Sequence, residues 1–188
     1  LPSRERRIFP RPARGERARE RGLSPMKLLA HGLSDKGLAR THNEDSFFAD
    51  KDLGLLVVAD GMGGHSAGEV ASRMAVEALS GYIRKSYAGG EPLIRRPDSG
   101  RSDASSRLVS GIRFANQVVC EAAKNNPAWK GMRTTIVAAL ADGDRLSVAH
   151  AGDSRAYLVR SGKIYQLTDD HSVVAEQVRL GLLSKEEA

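Results

Sequence analysis

The chain has a single cysteine, Cys120, among 188 residues. One thiol cannot build an intramolecular disulfide framework, and such scarcity fits a reducing, cytoplasmic setting. No apolar run approaches the roughly 18–20 residues that a membrane-spanning helix needs. Residues 1–25 lack a continuous apolar stretch, which excludes a secretory signal there. No internal repeat and no heptad run is present, so solenoid and coiled-coil architectures are excluded. The dipeptide Asp-Asn occurs nowhere, and Asp-Gly occurs only at Asp60-Gly61 and Asp142-Gly143.

The net charge of +6 comes from 29 basic and 23 acidic residues. It is unevenly spread. Residues 1–25 hold eight arginines against three glutamates, and the remaining chain is nearly balanced. High charge and few apolar residues predict that 1–25 is a disordered basic segment outside the domain. It has no aromatic interleaving and no helical apolar face, so neither nucleic acid nor a membrane surface is expected as its partner. Residues 26–188 form the patterned part.

Residues 27–34 mix apolar and polar positions and suit a strand, and 46–49 suit a second. The run Leu55, Leu56, Val57, Val58, Ala59 predicts a buried central strand. From Ser66 the spacing becomes helical: Ala71, Ala75, Leu79 and Ile83 lie beside Val70, Met74, Ala78 and Tyr82. A second helix is predicted over 103–124, with Asp103 as N-cap and Pro127 as stop. Strand signals follow at 134–141, 145–151, 155–159 and 163–167, with turn residues between them that suit an antiparallel meander. A short helix is expected over 172–180, ending at Gly181. Strands, two long helices, then strands predict an α+β fold and argue against a doubly wound parallel sheet.

Four clusters carry chemistry. Asp60-Gly61-Met62-Gly63-Gly64 follows the central strand, where a carboxylate is held rigidly and glycine permits close approach. Neither the dinucleotide pattern nor the Gly-Lys-Ser/Thr pattern of phosphate loops is present. Arg40-Thr41-His42-Asn43-Glu44-Asp45-Ser46 combines carboxylates for a hard cation with an arginine that matches phosphate. Gly152-Asp153-Ser154-Arg155 alone predicts a hairpin, and Leu167-Thr168-Asp169-Asp170-His171-Ser172 a helix start. His150 is expected to be a strand residue, His171 a capping or packing residue, Cys120 a core residue, and Trp129 to pack before the meander.

In this order, and with Ala67-Gly68-Glu69 and Thr134-Thr135, these motifs resemble the metal-dependent protein phosphatases, the protein phosphatase 2C-like enzymes, in bacterial form. The resemblance spans roughly 26–188 and implies a four-layer α-β-β-α sandwich of mostly antiparallel sheets. It implies that Asp60 and the Gly61 carbonyl bind two Mn²⁺ or Mg²⁺ ions. Glu44 and Asp45 would support them, Asp153 would help hold a possible third ion, and Arg40 would grip the substrate phosphate. The implied reaction is hydrolysis of protein phosphoserine and phosphothreonine by a metal-bridging hydroxide. The implied partners are phosphorylated proteins and a cognate serine/threonine kinase, with the enzyme a monomer.

There are departures from the family pattern. Where some eukaryotic members place a histidine proposed as general acid, this chain has Met62, and His65 stands nearby in another register. Arg133 replaces the glycine that usually precedes the paired threonines. A second Asp-Gly and a final Asp-Asn, each a source of a metal carboxylate, are absent from the C-terminal part. Residues 26–188 are therefore expected to be the N-terminal two-thirds or more of a phosphatase domain. Two octahedral ions need about twelve ligand positions, so this chain alone is expected to be weakly active or inactive. The competing expectation is a non-catalytic module that binds a phosphoprotein or another partner through the same scaffold.

Overall fold

The apolar run at 55–59 lies inside β2 (Leu55–Met62), the strand on which the main sheet is built. The computed structural model describes residues 27–63, 67–89 and 102–184. The predicted disordered segment 1–25, Gly64 and His65 lie outside the described residues. β1 (Asp45–Asp50) runs antiparallel to β2 on one side. On the other side lie β3 (Arg133–Thr134) and β4 (Ile136–Asp142), also antiparallel. β4 turns back into β5 (Arg145–Ala151), giving the order β1-β2-β4-β5 with β3 beside the end of β2.

β2 is central, as expected, but it is buried on one face only. Leu55, Val57 and Ala59 point into the core, whereas Val58 is 48% exposed. Helices cover one side of the sheet among the described residues. The other face carries Phe47, Val58, Met62 and Leu146, all exposed.

The helical spacing is obeyed. α1 (Ala67–Tyr87) buries Ala71, Ala75, Leu79 and Ile83. α2 (Asp103–Asn125) buries Leu108, Ile112, Ala115 and Val119. These two stripes meet each other and the inner sheet face around Leu55, Val57, Ala138 and Leu140. The N-cap of α2 is Ser102, one residue before the expected Asp103. Its hydroxyl accepts from the Ser105 amide at 3.1 Å, and Asp103 sits instead in the positive first turn. Pro127 opens a 3₁₀ turn (Pro127–Trp129) that ends the helical run, and Trp129 packs against the core. Cys120 is exposed and not in the core, because it falls beside the stripe and not on it.

Two strand expectations fail. Residues 27–34 form no strand. Their alternation has no ladder partner among the described residues. Gly32 lies against the Phe47 ring, Ser34 accepts from Asn43 Nδ2 at 2.7 Å, and Leu29 and Leu33 are exposed. The meander is also interrupted. β5 and β6 (Tyr157–Arg160) do not pair, so Gly152-Asp153 is not a hairpin turn. β6 pairs with β7 (Lys163–Gln166) as a separate two-stranded sheet. Ser161 and Gly162 both have positive φ, which the tight turn between β6 and β7 requires. α3 (Val173–Arg179) follows, capped by Ser172 and closed before Gly181.

Candidate metal centre

Antiparallel register brings the acidic residues together. Asp45 opens β1 and Asp60 lies near the end of β2, and the two are directly opposed. Directly paired strand residues have Cβ atoms about 4.5–5.5 Å apart. Both side chains lie on the outer face, beyond Phe47 and Val58. The pairing continues past the strand end, where the Gly61 amide donates to the Glu44 carbonyl at 3.1 Å.

The Asp60 carboxyl is pushed above the ordinary carboxylate range. Partial burial is the main cause, and the neighbouring Asp45 and Asp153 charges add to it, while Arg40 opposes them. Arg40, Asp45 and Asp153 thus all lie near enough to act on Asp60. Among the described residues, no three His, Cys, Asp or Glu side chains close into a ready cage.

The backbone around Asp60 is held from the β3–β4 junction. The Asp60 carbonyl accepts from the Thr135 amide and the Thr134 hydroxyl, both at 2.9 Å. The Asp60 amide donates to Thr135 Oγ1 at 3.1 Å. Thr135 Oγ1 lies 2.6 Å from the Ser154 hydroxyl. Gly152 has φ +105°, and a Cβ there would come within 2.7 Å of Thr135 Cγ2. The turn carrying Asp153 is therefore fitted against the residue that holds Asp60.

Glu44 takes a different place from Asp45. Its carboxylate lies against Gly68 in the first turn of α1, where the helix dipole favours negative charge. Its carbonyl also accepts from the fully buried Ser72 hydroxyl at 2.6 Å. Ser72 thereby ties the start of β1 to the start of α1.

Behind the Asp153 turn, the 168–172 segment is bound to the sheet. His150 is buried at the end of β5, with Nε2 2.6 Å from the Asp169 carbonyl. The His171 ring stacks on it at a 4.5 Å centroid distance. The Gly152 amide donates to His171 Nδ1 at 3.3 Å, and the His171 amide donates back to the Gly152 carbonyl at 3.1 Å. Arg155 grips Asp170 with two nitrogens, Nε to Oδ1 at 2.9 Å and Nη2 to Oδ2 at 2.6 Å. These bonds hold the Asp170 carboxyl below its ordinary value of 3.8 and push Arg155 upward. A lowered carboxyl value means stability present above the unfolded value and lost as pH falls through the folded one. Asp170→Asn is expected to lower the melting midpoint by a few degrees at neutral pH, since the pair is partly solvated. Melting curves across pH check this: the gap from wild type should close as the solution is acidified below about 4.

The family model described as protein phosphatase 2C matches residues 39–183. The chain belongs to this family. It is 39% identical over 155 residues to the serine/threonine protein phosphatase PstP of Mycobacterium tuberculosis, covering 82% of this chain and 27% of that protein. It is 39% identical over 158 residues to the serine/threonine phosphatase stp of Listeria monocytogenes, covering 82% and 59%. The crystal structure of the Mycobacterium tuberculosis phosphatase aligns with a TM-score of 0.68 and 38% identity, covering 82% of this chain and 60% of that one. The PstP catalytic domain in complex with two manganese ions aligns with a TM-score of 0.67 and 38% identity, covering 82% and 61%. The chain thus spans about 60% or less of the relatives it matches. Its helices and antiparallel sheets match the protein phosphatase 2C fold, as the α+β expectation required.

Within this phosphatase-family chain, every residue singled out for the site lies in the matched span. The fold brings Arg40, Asp45, Asp60 and Asp153 to one end of the sheet and sets the Glu44 carboxylate beside α1. Gly61 is buried between the Glu44 carbonyl and Gly68. Arg133 points outward, which explains how a long side chain is tolerated before the paired threonines. Sequence reasoning missed Ser72, Ser154 and Asp170 as supports. No local period marks such residues, although Ser72 on the apolar stripe of α1 was a polar misfit that could have drawn notice.

Proposed function

We propose that this protein hydrolyses phosphoserine and phosphothreonine in proteins, with Mn²⁺ or Mg²⁺ held at the Asp60 centre. The observation that carries this is the direct cross-strand opposition of Asp45 and Asp60, with Arg40 and Asp153 near enough to act on the Asp60 carboxyl. A cation offsets the repulsion between neighbouring carboxylates, and an all-oxygen donor set suits Mn²⁺ or Mg²⁺. The residues present fit such ions in chemistry. Asp60, the Gly61 carbonyl, Asp45 and Asp153 would contribute oxygens, with Glu44 in support and a third ion near Asp153. Ions bound there would acidify water and neutralise charge on the phosphoryl oxygens.

The chain's own groups have separate tasks. Arg40 pairs with phosphate oxygens and orients the ester. Asp45 and Asp60 fix the attacking water opposite the leaving oxygen. The water oxygen bonds to phosphorus, the serine or threonine oxygen departs with a proton, and inorganic phosphate is released. Support comes from the PstP catalytic domain, solved with two manganese ions. Residues 26–188 are proposed as the N-terminal two-thirds or more of the phosphatase domain. The protein is proposed to act as a cytoplasmic monomer opposing a serine/threonine kinase. No helix among the described residues is long and apolar enough to cross a membrane.

The full-length protein that contains residues 26–188, given Mn²⁺ and a phosphothreonine peptide, should release phosphate, whereas these residues alone should release little or none. Arg40→Ala should lower kcat/KM by about ten- to a hundredfold, as loss of a charge-assisted phosphate contact does. Absence of metal-dependent release by the wild-type protein would refute the activity.

A further inference from the structure

Thr135 stands where the ladder breaks between β3 and β4. Its hydroxyl lies between the Asp60 amide at 3.1 Å and the Ser154 hydroxyl at 2.6 Å. Its own amide holds the Asp60 carbonyl at 2.9 Å. Its methyl group faces Gly152, whose φ of +105° and lack of a side chain leave room for it. One side chain therefore touches the backbone of Asp60 and both neighbours of Asp153. A hydroxyl has one proton and two lone pairs. It can accept from the Asp60 amide while donating to Ser154, so the two elements are joined through one oxygen.

We propose that Thr135 is a positioning residue that locks Asp60 and the 152–154 turn into one frame, and so sets the spacing of their carboxylates toward the metal centre. This rests on the metal-centre assignment above. Asp60 lies on β2 and Asp153 in the turn after β5, far apart in sequence, and β2 and β5 do not pair. The Thr135 hydroxyl links the Asp60 amide to the side chain of Ser154, the residue after Asp153. Small changes of ligand spacing are costly for ions that demand near-octahedral geometry.

The test separates bonding from packing. Thr135→Val keeps the methyl and removes the hydroxyl. Thr135→Ser keeps the hydroxyl and removes the methyl. In Mn²⁺ calorimetry on the intact protein, Val should weaken binding by about tenfold, and Ser should stay within about twofold of wild type. Ser154→Ala should cost several-fold alone and little more when added to Thr135→Val, since both break one link. In the metal-free protein, the Asp60 amide should exchange hydrogen faster in Val than in Ser. A folded Val variant with wild-type affinity and wild-type exchange would overturn the proposal, as would equal losses in Val and Ser. If Val does not fold, Ser154→Ala decides, and wild-type affinity there overturns it. Asp60→Asn is the control. If it binds Mn²⁺ like wild type, the metal-centre assignment itself fails, whereas weak binding there with a normal Val variant sinks only the role of Thr135.

Discussion

Asp60→Ala is expected to abolish tight Mn²⁺ binding and phosphopeptide hydrolysis together, each by more than about a hundredfold. Removing an outer partner of a metal ligand already costs about 10–100-fold, and Asp60 is proposed as a direct ligand. The variant should still fold. The Asp60 carboxyl is held above its ordinary range by burial and by Asp45 and Asp153. A raised carboxyl value means that the ionised form is disfavoured in the folded chain, so its ionisation subtracts stability as pH rises through that value. Without metal, Asp60→Ala should therefore be at least as stable as wild type at neutral pH. Calorimetry, a phosphate-release assay and a melting curve test the three parts. A variant that melts normally and keeps its turnover would remove Asp60 from the centre. A variant that melts much earlier would show that the carboxylate is structural.

Gly61→Ala is expected to destabilise the fold by about 3 kcal/mol, at the upper end of overpacking costs. In a domain of this size that lowers the melting midpoint by about 10 °C. A Cβ on Gly61 would overlap the Gly68 carbonyl oxygen and come within 2.7 Å of the Glu44 carbonyl oxygen. Both are backbone atoms of anchored elements. Gly68 lies in the first turn of α1, and the Glu44 carbonyl is held by the Gly61 amide and Ser72. Neither can rotate away as a side chain could. The glycine is needed for closeness and not for an unusual φ, since Gly61 is not among the positive-φ glycines. Urea unfolding checks the size of the effect. A change under about 0.5 kcal/mol, within the range of ordinary surface substitutions, would show that α1 is free to shift.

The two predictions concern neighbouring residues whose roles were legible to different degrees. Asp60 stood out because a carboxylate after an apolar run is conspicuous. The need for glycine at 61 was only suggested by the motif. Its cause, the carbonyl of Gly68 packed across it, comes from a helix whose contact with β2 no local pattern records. The Gly152 turn shows the same limit. Its residues suit a hairpin, yet β5 and β6 part there, and the turn instead packs on Thr135 and bonds to His171. Turn chemistry reports which φ values a residue tolerates. It does not report which strand comes next to which.

The sequence by itself determined the elements whose signals are local. Periodic apolar stripes specified α1 and α2, and Asp142-Gly143-Asp144 specified the β4–β5 turn. A stripe needs only its own residues to be recognised, because burial selects one face of a helix. The tertiary structure alone decided pairing and proximity. It left 27–34 without a ladder, opposed Asp45 to Asp60, set the Glu44 carboxylate on α1, and joined Asp60 to the Asp153 turn through Thr135. Each of these depends on hydrogen bonds and contacts between residues distant in the chain. Such bonds form only after the core has brought their elements together, so they leave no period for the sequence to display.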